Sequence, residues 1–272
     1  MLTVSQLFVY PIKSLGGIKI SVAEVTDRGL KYDRRWILVD KDNSFLTQRE
    51  FPKMAQLKVQ IEAEGLRVVL STDPGKQVFV PFAPLGKYTE KVTIWNAICD
   101  AINVNPQINA WFSNMLGITC KLMYMPDGTM RPVDTTSGYK PKGKFTSFAD
   151  AYPFLLLGES SLEDLNKRLE KPVLINRFRP NIVFTGGTPY QEDNIKDFII
   201  NGVNFTGLEN CGRCAIVTID QASAAKGKEP LKTLATYRRR DNQIYFGQNV
   251  VHTGTGVINV GDEIQLVKNP QH

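Results

Sequence analysis

The sequence is poor in the side chains that usually build structural metal sites. Its 272 residues include only two histidines and four cysteines: His252, His272, Cys99, Cys120, Cys211 and Cys214. A structural zinc site takes four such ligands, commonly supplied as two closely spaced pairs. The chain has one close pair, Cys211 and Cys214, and no second one. This shortage argues against structural zinc.

Long apolar runs and a secretory leader are also missing. A transmembrane helix needs about 18 or more consecutive apolar residues, and the best candidate, 151–158, is short and contains Pro153. Residues 1–7 show no basic region, apolar core or cleavage site of a signal peptide. We therefore expect neither a membrane span nor the structural disulfides of a secreted chain.

The composition is that of an ordinary globular protein, with 42% hydrophobic and 22% charged residues. A formal net charge of +6 suggests an anionic partner, such as a phosphorylated cofactor, an acidic electron-transfer protein or nucleic acid. The basic residues are scattered and no nucleic-acid-binding motif is recognisable. This argues against nucleic acid.

What the chain does contain is a Cys-Gly-Arg-Cys segment at 211–214, followed by an apolar run. The β-branched residues of that run predict a strand over 214–219. A redox dithiol is expected at the start of a helix, so this context argues against one. Two interpretations stay open at this point. Either both cysteines are buried and inert, or one is a thiolate that ligates a metal cofactor.

Arg213, between the two cysteines, favours the metal-ligand interpretation. A neighbouring guanidinium favours the thiolate, which is the form that binds soft metals. Arginine also binds phosphate through paired hydrogen bonds. One short segment can therefore hold both the metal and the phosphate of a cofactor.

Three further clusters place basic and polar side chains at turns next to strand-like runs. Lys13 and Ser14 lie in a turn rich in Pro and Gly after the first apolar run, where they can meet an anion. Arg34 and Arg35 precede another apolar run, and the segment 177–181 precedes a third. Taken one at a time, each cluster is more readily structural than functional.

Strand-like patterns dominate the chain. They lie at 4–9, 36–39, 57–61, 66–70, 78–80, 92–95, 120–124, 154–157, 182–184, 214–219 and 263–267. One helix is predicted to have Asn105 as its N-cap and Gly117 after its end. A second begins with a capping box of Ser160 and Glu163, and a third is predicted over 191–200.

Taken together and in this order, the segments resemble the MOSC family. The similarity is to its two-part members, which include the mitochondrial amidoxime reducing component and bacterial relatives. It covers nearly the whole chain and rests on six short motifs: Tyr10-Pro-Ile-Lys-Ser14, Asp33-Arg-Arg-Trp36, Arg177-Phe-Arg-Pro-Asn181, Cys211-Gly-Arg-Cys214, Glu229-Pro-Leu231 and Phe246-Gly-Gln248. The Ile94-Trp95 segment also fits the family.

The resemblance implies a β-rich α+β fold. An N-terminal β-barrel-like domain is expected beside a MOSC β-barrel domain, with a few peripheral helices. We place the first domain at 1–125, a connecting loop at 126–147 and the MOSC domain at 148–272. In relatives the cofactor lies in a cleft that both domains line.

The resemblance also implies a molybdenum cofactor, in which molybdopterin holds the metal. In the family the second cysteine of the pair ligates the metal, and this carries over to Cys214 as the metal ligand and catalytic residue. Contacts to the pterin and its phosphate carry over to seven further residues: Lys13, Ser14, Arg34, Tyr152, Arg179, Asn181 and Arg213. Tyr152 stands where the family often has a small residue, so a backbone contact is expected there.

The implied activity is the reduction of N-hydroxylated compounds such as amidoximes, hydroxylamines and N-hydroxylated bases. Electrons would come from a separate ferredoxin, flavodoxin or cytochrome with its reductase, because the four cysteines do not supply an additional iron–sulfur cluster. Unlike the mitochondrial relatives, the chain starts at its first strand, and we expect a bacterial-type cytoplasmic protein.

Within this interpretation Asp220 is a candidate for proton transfer, and a structural turn or cap residue is the other interpretation of that aspartate. Two other function classes stay open. A non-catalytic carrier of the molybdenum cofactor, or a sulfur-transfer protein, would share the same binding residues. A metal-free anion-binding module is the second class.

Overall fold

The computed structural model describes residues 1–135 and 141–267. Residues 136–140 of the predicted connecting loop, and His272, lie outside the described residues. The strands of the described residues are, in chain order, β1 Leu2–Val9, β2 Ile18–Ile20, β3 Val22–Thr26, β4 Gly29–Leu30, β5 Trp36–Val39, β6 Leu57–Glu62, β7 Gly65–Leu70, β8 Asp73–Pro81, β9 Thr89–Ile94, β10 Ala97–Asn103, β11 Lys121–Tyr124, β12 Arg131–Pro132, β13 Phe145–Thr146, β14 Phe154–Gly158, β15 Ile182–Thr185, β16 Asp197–Ile200, β17 Val203–Gly212, β18 Arg239–Arg240, β19 Gln243–Thr253, β20 Gly256–Asn259 and β21 Glu263–Leu266. The helices are α1 Pro106–Leu116, α2 Glu159–Arg168 and α3 Leu231–Ala235, with 3₁₀ turns at Pro52–Gln56, Ile175–Phe178, Gln191–Asn194 and Ala215–Thr218.

Seven of the strands close into a barrel. The order β14-β15-β1-β21-β16-β17-β19 returns to its start, because β19 also pairs with β14 from Phe154↔Val250 to Leu156↔Gln248. Within this ring β14 and β15 are parallel, and the other neighbours are antiparallel. The β-rich fold with a barrel, predicted from the sequence, is confirmed.

Alternating side chains of these strands fill the barrel. Phe154 meets Phe205 edge to face with ring centroids 5.3 Å apart, and Phe198 stacks on Phe205 at 5.2 Å. Val4 and Phe184 belong to the same buried cluster. Each large apolar side chain removed from water in this way stabilises the fold by about 2 kcal/mol. The first strand of the chain therefore contributes to a core built mainly by the C-terminal half.

The N-terminal half folds around a second core. Two sheets, β5-β11-β10-β9 and β6-β7-β8, occupy this half. The buried residues Trp36, Phe112 and Leu122 belong to one cluster there. Strands β5 and β11 pair from Trp36 to Val39. Because Arg34 and Arg35 directly precede β5, this pairing fixes both arginines at the edge of a rigid sheet.

Helix α1 confirms the capping pattern predicted for it. The Asn105 side chain accepts a hydrogen bond from the Gln107 backbone N–H at 2.7 Å. Gly117 ends the helix with a φ of 73°, a left-handed conformation that glycine adopts readily.

In the described ranges, no helix is both long enough and apolar enough to span a bilayer.

The second predicted helix is present, but its predicted cap is wrong, and the third predicted helix is wrong. Helix α2 begins at Glu159, directly after β14, so Ser160 lies inside the first turn and the capping box does not form. Residues 191–200 form a 3₁₀ turn and then strand β16, not one helix. The cause is tertiary: Phe198 and Ile200 alternate with half-buried neighbours while β16 pairs with β17 and β21.

The predicted strand over 214–219 is also wrong. These residues form a 3₁₀ turn at Ala215–Thr218. Strand β17 precedes the second cysteine instead and ends at Gly212, where it pairs with Tyr245 of β19. The buried Val217 packs into the cluster that includes residues of α2 and α3, which explains the apolar character of the run without a strand.

Candidate functional site

A cleft of about 370 Å³ lies between the two halves. Its lining includes every metal- and cofactor-binding residue predicted from the sequence: Lys13, Ser14, Arg34, Tyr152, Arg179, Asn181, Arg213 and Cys214. The first three come from the N-terminal half and the others from the C-terminal half. The volume falls within the range of small-molecule and cofactor pockets. What each residue binds there stays a prediction.

Lys13 and Ser14 lie in the turn after β1. The Lys13 backbone N–H donates to the Trp36 carbonyl at 2.8 Å, and its ammonium donates to the Phe148 carbonyl at 2.9 Å and to Asp150 at 2.5 Å. Burial lowers the pKa of Lys13 to about 8, against the opposing effect of Asp150. Ser14 has a φ of 67°, which costs energy in a residue other than glycine. Contacts to both halves thus hold this turn in place.

Two guanidinium groups stack on one tyrosine ring in the cleft. The Cζ atoms of Arg34 and Arg179 lie 4.2 and 4.3 Å from the centroid of Tyr10. Arg34 also pairs with the buried Asp33 at 2.6 Å. Burial, with repulsion from Arg34, lowers the pKa of Arg179 to about 10. Both arginines have positive φ, 49° and 57°. Two like charges held together at strained backbone positions favour the binding of an anion.

Asn181 is buried and positions Arg34. Its side-chain N–H donates to the Phe8 carbonyl at 3.3 Å, and its oxygen accepts from Arg34 at 3.1 Å. These contacts tie the arginine to β1. Tyr152 is also buried, and burial together with the Glu209 carboxylate raises the pKa of its phenol. Its side chain therefore stays neutral.

The two cysteines of the pair have different surroundings. The Cys211 thiol is half-buried and accepts from Arg213 Nη1 at 3.1 Å. Burial raises the pKa of this thiol against the effect of Arg213. Cys214 is exposed, and its Sγ lies 3.9 Å from Arg49 Nη1. The arginine between the cysteines thus contacts Cys211, whereas Cys214 is the thiol open to a ligand in the cleft.

The sequence did not single out Arg49 or Asp150, which form part of the cleft lining. The Trp95 indole N–H donates to Asp150 at 3.0 Å, and the Arg49 guanidinium stacks on the Trp95 ring at 4.6 Å. Trp95 carried a signal, because it belongs to a family-like segment. Nothing in the sequence links positions 49 and 150 to Cys214, since these residues meet only in the folded chain.

Asp220 and His252 have structural roles. Asp220 accepts from the Ser223 backbone N–H at 2.8 Å and pairs with Arg177 at 2.7 Å. The His252 Nε2 atom lies 2.5 Å from the Thr26 carbonyl. Neither side chain lines the cleft. Of the two readings of Asp220, the structure supports the turn residue.

The cleft suits a group that carries both a soft metal and a phosphate. Cys214 offers an exposed thiol, a soft ligand. Five basic side chains and two carboxylates, those of Asp150 and Glu209, line the cleft, so positive charge is in excess there. The Arg213 Nε is buried and has no partner among the described residues, so a donor is left for a ligand. Among the described residues, no group of three or more His, Cys, Asp or Glu side chains is arranged to hold a metal ion by itself.

Comparison with known proteins agrees with the motifs. The family model of the MOSC N-terminal beta barrel domain matches residues 1–119, and that of the MOSC domain matches residues 144–265. Mitochondrial amidoxime-reducing component 1 of Mus musculus is 33% identical over 285 residues, covering 97% of this chain and 82% of that protein. The Homo sapiens protein of the same name is 31% identical over 282 residues, covering 97% and 83%.

A second kind of relative is longer. The molybdenum cofactor sulfurase of Oryza sativa subsp. japonica is 32% identical over 258 residues, which cover 89% of this chain and 31% of the sulfurase. The resemblance found in the sequence is therefore confirmed. The chain belongs to the MOSC family, as a two-part member in which a MOSC N-terminal domain precedes a MOSC domain.

Proposed function

We propose that the protein binds the molybdenum cofactor through Cys214 and reduces N-hydroxylated compounds. Amidoximes, hydroxylamines and N-hydroxylated bases are the substrate class. The observation that carries the proposal is the exposed Cys214 thiol in a cleft whose basic lining comes from both halves. Identities of 33% and 31% with the amidoxime-reducing components of mouse and man, over 97% of the chain, support the same activity.

Three basic residues are proposed to hold the phosphate of the cofactor. Arg34 and Arg179 share the Tyr10 ring, and their planar groups can donate in pairs to phosphate oxygens. Lys13 supplies a point charge. Asp33 and Asn181 orient Arg34, so the arginine is set before the ligand arrives. Such preorganisation lowers the entropy cost of binding.

The remaining lining residues would shape the reaction site. When bound, the cofactor supplies the two-electron chemistry that removes an oxygen atom from the substrate. Two electrons and two protons then convert an N–OH group into N–H and water. No histidine is found in the cleft lining of the described residues. We infer that protons reach the substrate through water at the open side, near the exposed Cys214.

The test compares metal and pterin content in three proteins from one host that makes the cofactor. Wild type is expected to carry near-stoichiometric molybdenum, Cys214→Ser little, and the matched control Cys211→Ser most of it. Reduction of benzamidoxime by the loaded wild type, driven by a chemical reductant, is then expected. Equal metal in both variants would overturn the role of Cys214. Absence of metal and pterin from wild type would overturn the proposal as a whole.

A cofactor carrier or sulfur-transfer protein is the second candidate. It is favoured by the similarity of 89% of the chain to part of a plant molybdenum cofactor sulfurase. Both candidates need the same cofactor residues, so metal content does not separate them. Fully loaded protein that does not reduce benzamidoxime with a chemical reductant, but passes its cofactor to an acceptor apoenzyme, would support the carrier.

The electron donor and the domain division belong to the same proposal. We propose a separate donor of the ferredoxin, flavodoxin or cytochrome type. We also propose that 1–125 and 148–272 are the two domains and 126–147 their connection. The pairing of β12 with β13 lies within that connection.

A further inference from the structure

One of the five basic side chains of the cleft has no oxygen atom as its partner. The other four each donate to an oxygen: Lys13 to Asp150, Arg34 to Asp33, Arg179 to the Leu15 carbonyl and Arg213 to the Phe178 carbonyl. Among the described residues, the side chain of Arg49 donates only to the Cys214 sulfur, at 3.9 Å. A guanidinium carries more N–H donors than this one contact uses. Because Arg49 is only half-buried and lines the cleft, its other donors are accessible to a ligand there.

The position of Arg49 is fixed from both halves of the molecule. Its Cζ atom lies 4.6 Å from the centroid of the Trp95 ring, which gives the guanidinium a flat surface to stack on. The preceding residue, Gln48, is fully buried and donates to the Ser14 carbonyl at 2.7 Å. The Gln48 side-chain oxygen accepts from Gln221 of the C-terminal half at 2.9 Å. The guanidinium is therefore held beside Cys214 before any ligand arrives, which lowers the entropy cost of binding.

We propose that Arg49 is a catalytic residue that binds the oxygen of the substrate N–OH group beside Cys214. The inference rests on the proposed function, in which the substrate gives up this oxygen next to the Cys214 sulfur. It adds the residue that receives the oxygen. Arg49 is the basic side chain of the cleft that contacts this sulfur, and hydrogen-bond donors that neighbouring oxygen atoms do not already occupy remain on it.

A positive charge at this place assists cleavage of the N–O bond. The bond breaks, and two electrons from the separate donor, delivered through the cofactor, together with two protons from water give N–H and one molecule of water. The oxygen is neutral in the bound substrate and takes negative charge as the bond breaks. A preorganised guanidinium therefore stabilises the transition state more than the bound substrate. Its loss should lower kcat more than it raises KM.

The first experiment uses cofactor-loaded protein and benzamidoxime with a chemical reductant. In Arg49→Gln we expect kcat to fall by about 100-fold or more, KM to stay within about threefold of wild type, and molybdenum and pterin content to stay at the wild-type level. Arg49→Lys keeps the charge without the paired donors and should recover part of kcat. The matched control is Arg239→Gln, at an exposed position outside the cleft lining, which should behave as wild type.

A second experiment needs neither cofactor nor turnover. In metal-free protein, the Cys214 thiol is treated with anionic dithiobis(nitrobenzoate) and, separately, with neutral dithiodipyridine. The ratio of the two rates isolates the attraction of an anionic group to the Arg49 charge, because any change in the thiolate population affects both reagents. We expect this ratio to be about fivefold lower in Arg49→Gln than in wild type, and unchanged in Arg239→Gln.

Several outcomes would overturn the inference and leave the proposed function in place. Loss of molybdenum and pterin from Arg49→Gln would make Arg49 a cofactor ligand. A raised KM with an unchanged kcat would mean that Arg49 binds the substrate without assisting cleavage of the N–O bond. An unchanged rate ratio would show that its charge does not act at Cys214. A wild type that carries the cofactor but does not reduce benzamidoxime would instead overturn the proposed reductase function, and this inference with it.

Discussion

At the scale of single residues, exposure separates the four thiols. Cys214 is exposed and Cys211 is half-buried, whereas Cys99 and Cys120 are buried, and burial raises the pKa of both buried thiols. The thiolate is the reactive form of cysteine. The reactivity of the four thiols should therefore follow their exposure, with Cys214 first, Cys211 second and the two buried cysteines last.

We predict one fast thiol in the metal-free protein. With a chromogenic disulfide reagent, Cys214 should react first and Cys211 more slowly, because Cys211 is partly covered and bonded to Arg213. Cys99 and Cys120 should react only on unfolding. Stopped-flow absorbance measures the phases. Cys214→Ser should remove the fast phase and Cys211→Ser should keep it, and the opposite pattern would show that the cysteines are reversed.

Lys13 gives cofactor retention a predicted pH dependence. Its pKa in the folded protein is about 8, so its charge is lost as the pH rises through that value. Retention of a phosphate-bearing cofactor should therefore fall above about pH 8. Lys13→Arg should abolish the fall, because a guanidinium keeps its charge. Pterin analysis after desalting on either side of pH 8 measures this.

A matched control for this experiment is Lys58→Arg, since Lys58 does not line the cleft. Cofactor retention by the Lys58→Arg protein should depend on pH in the same way as that of wild type. A Lys13→Arg protein that still loses the cofactor as the pH rises would mean that another group sets the dependence.

Glu192 should make the folding stability fall with rising pH. It is fully buried, with one oxygen accepting from the Ser161 hydroxyl at 2.8 Å and the other unpartnered among the described residues. Burial raises its pKa from 4.5 to about 7. The folded state thus binds this proton more tightly than the unfolded state. The stabilisation is complete below pH 4.5 and is lost as the pH rises through about 7.

Glu192→Gln removes this titration. Between about pH 5 and pH 8, the free energy of unfolding of wild type should fall relative to that of the variant by roughly 2–3 kcal/mol. Urea unfolding at both pH values measures it. Glu163→Gln, at an exposed position, should track wild type. A constant difference between wild type and Glu192→Gln would contradict the prediction.

How far the sequence predicts single residues depends on whether a local motif carries them. Lys13, Arg34 and Cys214 each lie in a short motif, and all three line the cleft. Arg49 lies 3.9 Å from the Cys214 sulfur but 165 positions away in the chain. No local pattern encodes such a contact, because it is made only when the two halves pack together.

At the scale of elements, local patterns predicted short apolar strands and missed the two longest. Strands β17 and β19 were not expected, although they form the most extended pairing of the barrel. Both contain polar and glycine residues, and their register shifts at two places. Irregularities of this kind break the period-two pattern on which strand prediction depends.

Helix α1 is the element whose ends the sequence predicted best. Its N-cap should make a measurable contribution to the free energy of unfolding. Asn105→Ala removes the acceptor for the Gln107 N–H, and we expect a loss of about 1 kcal/mol in the free energy of unfolding. Asn114→Ala, at an exposed position of the same helix, should change stability little. Urea unfolding of both variants gives the comparison. Equal effects would show that the cap does not act as described.

At the scale of the whole molecule, the barrel does not follow the order of the chain. Strand β1 lies between β15 and β21, while the other barrel strands lie between residues 154 and 266. The family resemblance supplied the two-part organisation. The residues of β1 do not reveal which of the two parts it joins, because an apolar strand of this kind could pair in a sheet of either part.

The proposed domain 148–272 should therefore not fold alone. Without β1, strands β15 and β21 keep unpaired edges and the barrel loses Val4 and Leu7 from its core. We expect that fragment to lack a cooperative thermal transition. A second fragment, with residues 1–10 joined to 148–272 by a flexible linker, should regain one in calorimetry. Cooperative unfolding of the shorter fragment would contradict this assignment of β1.

The place of β1 in the barrel also bears on how the chain folds during synthesis. Strand β1 leaves the ribosome long before β21, with which it pairs at Leu2↔Ile264. Domains that fold as they emerge need their partners close behind in the chain, and this barrel cannot close until β21 has been made. The N-terminal half can assemble its own core earlier, while the apolar strand β1 is still without its barrel partners. That strand is a natural binding segment for a chaperone on the nascent chain.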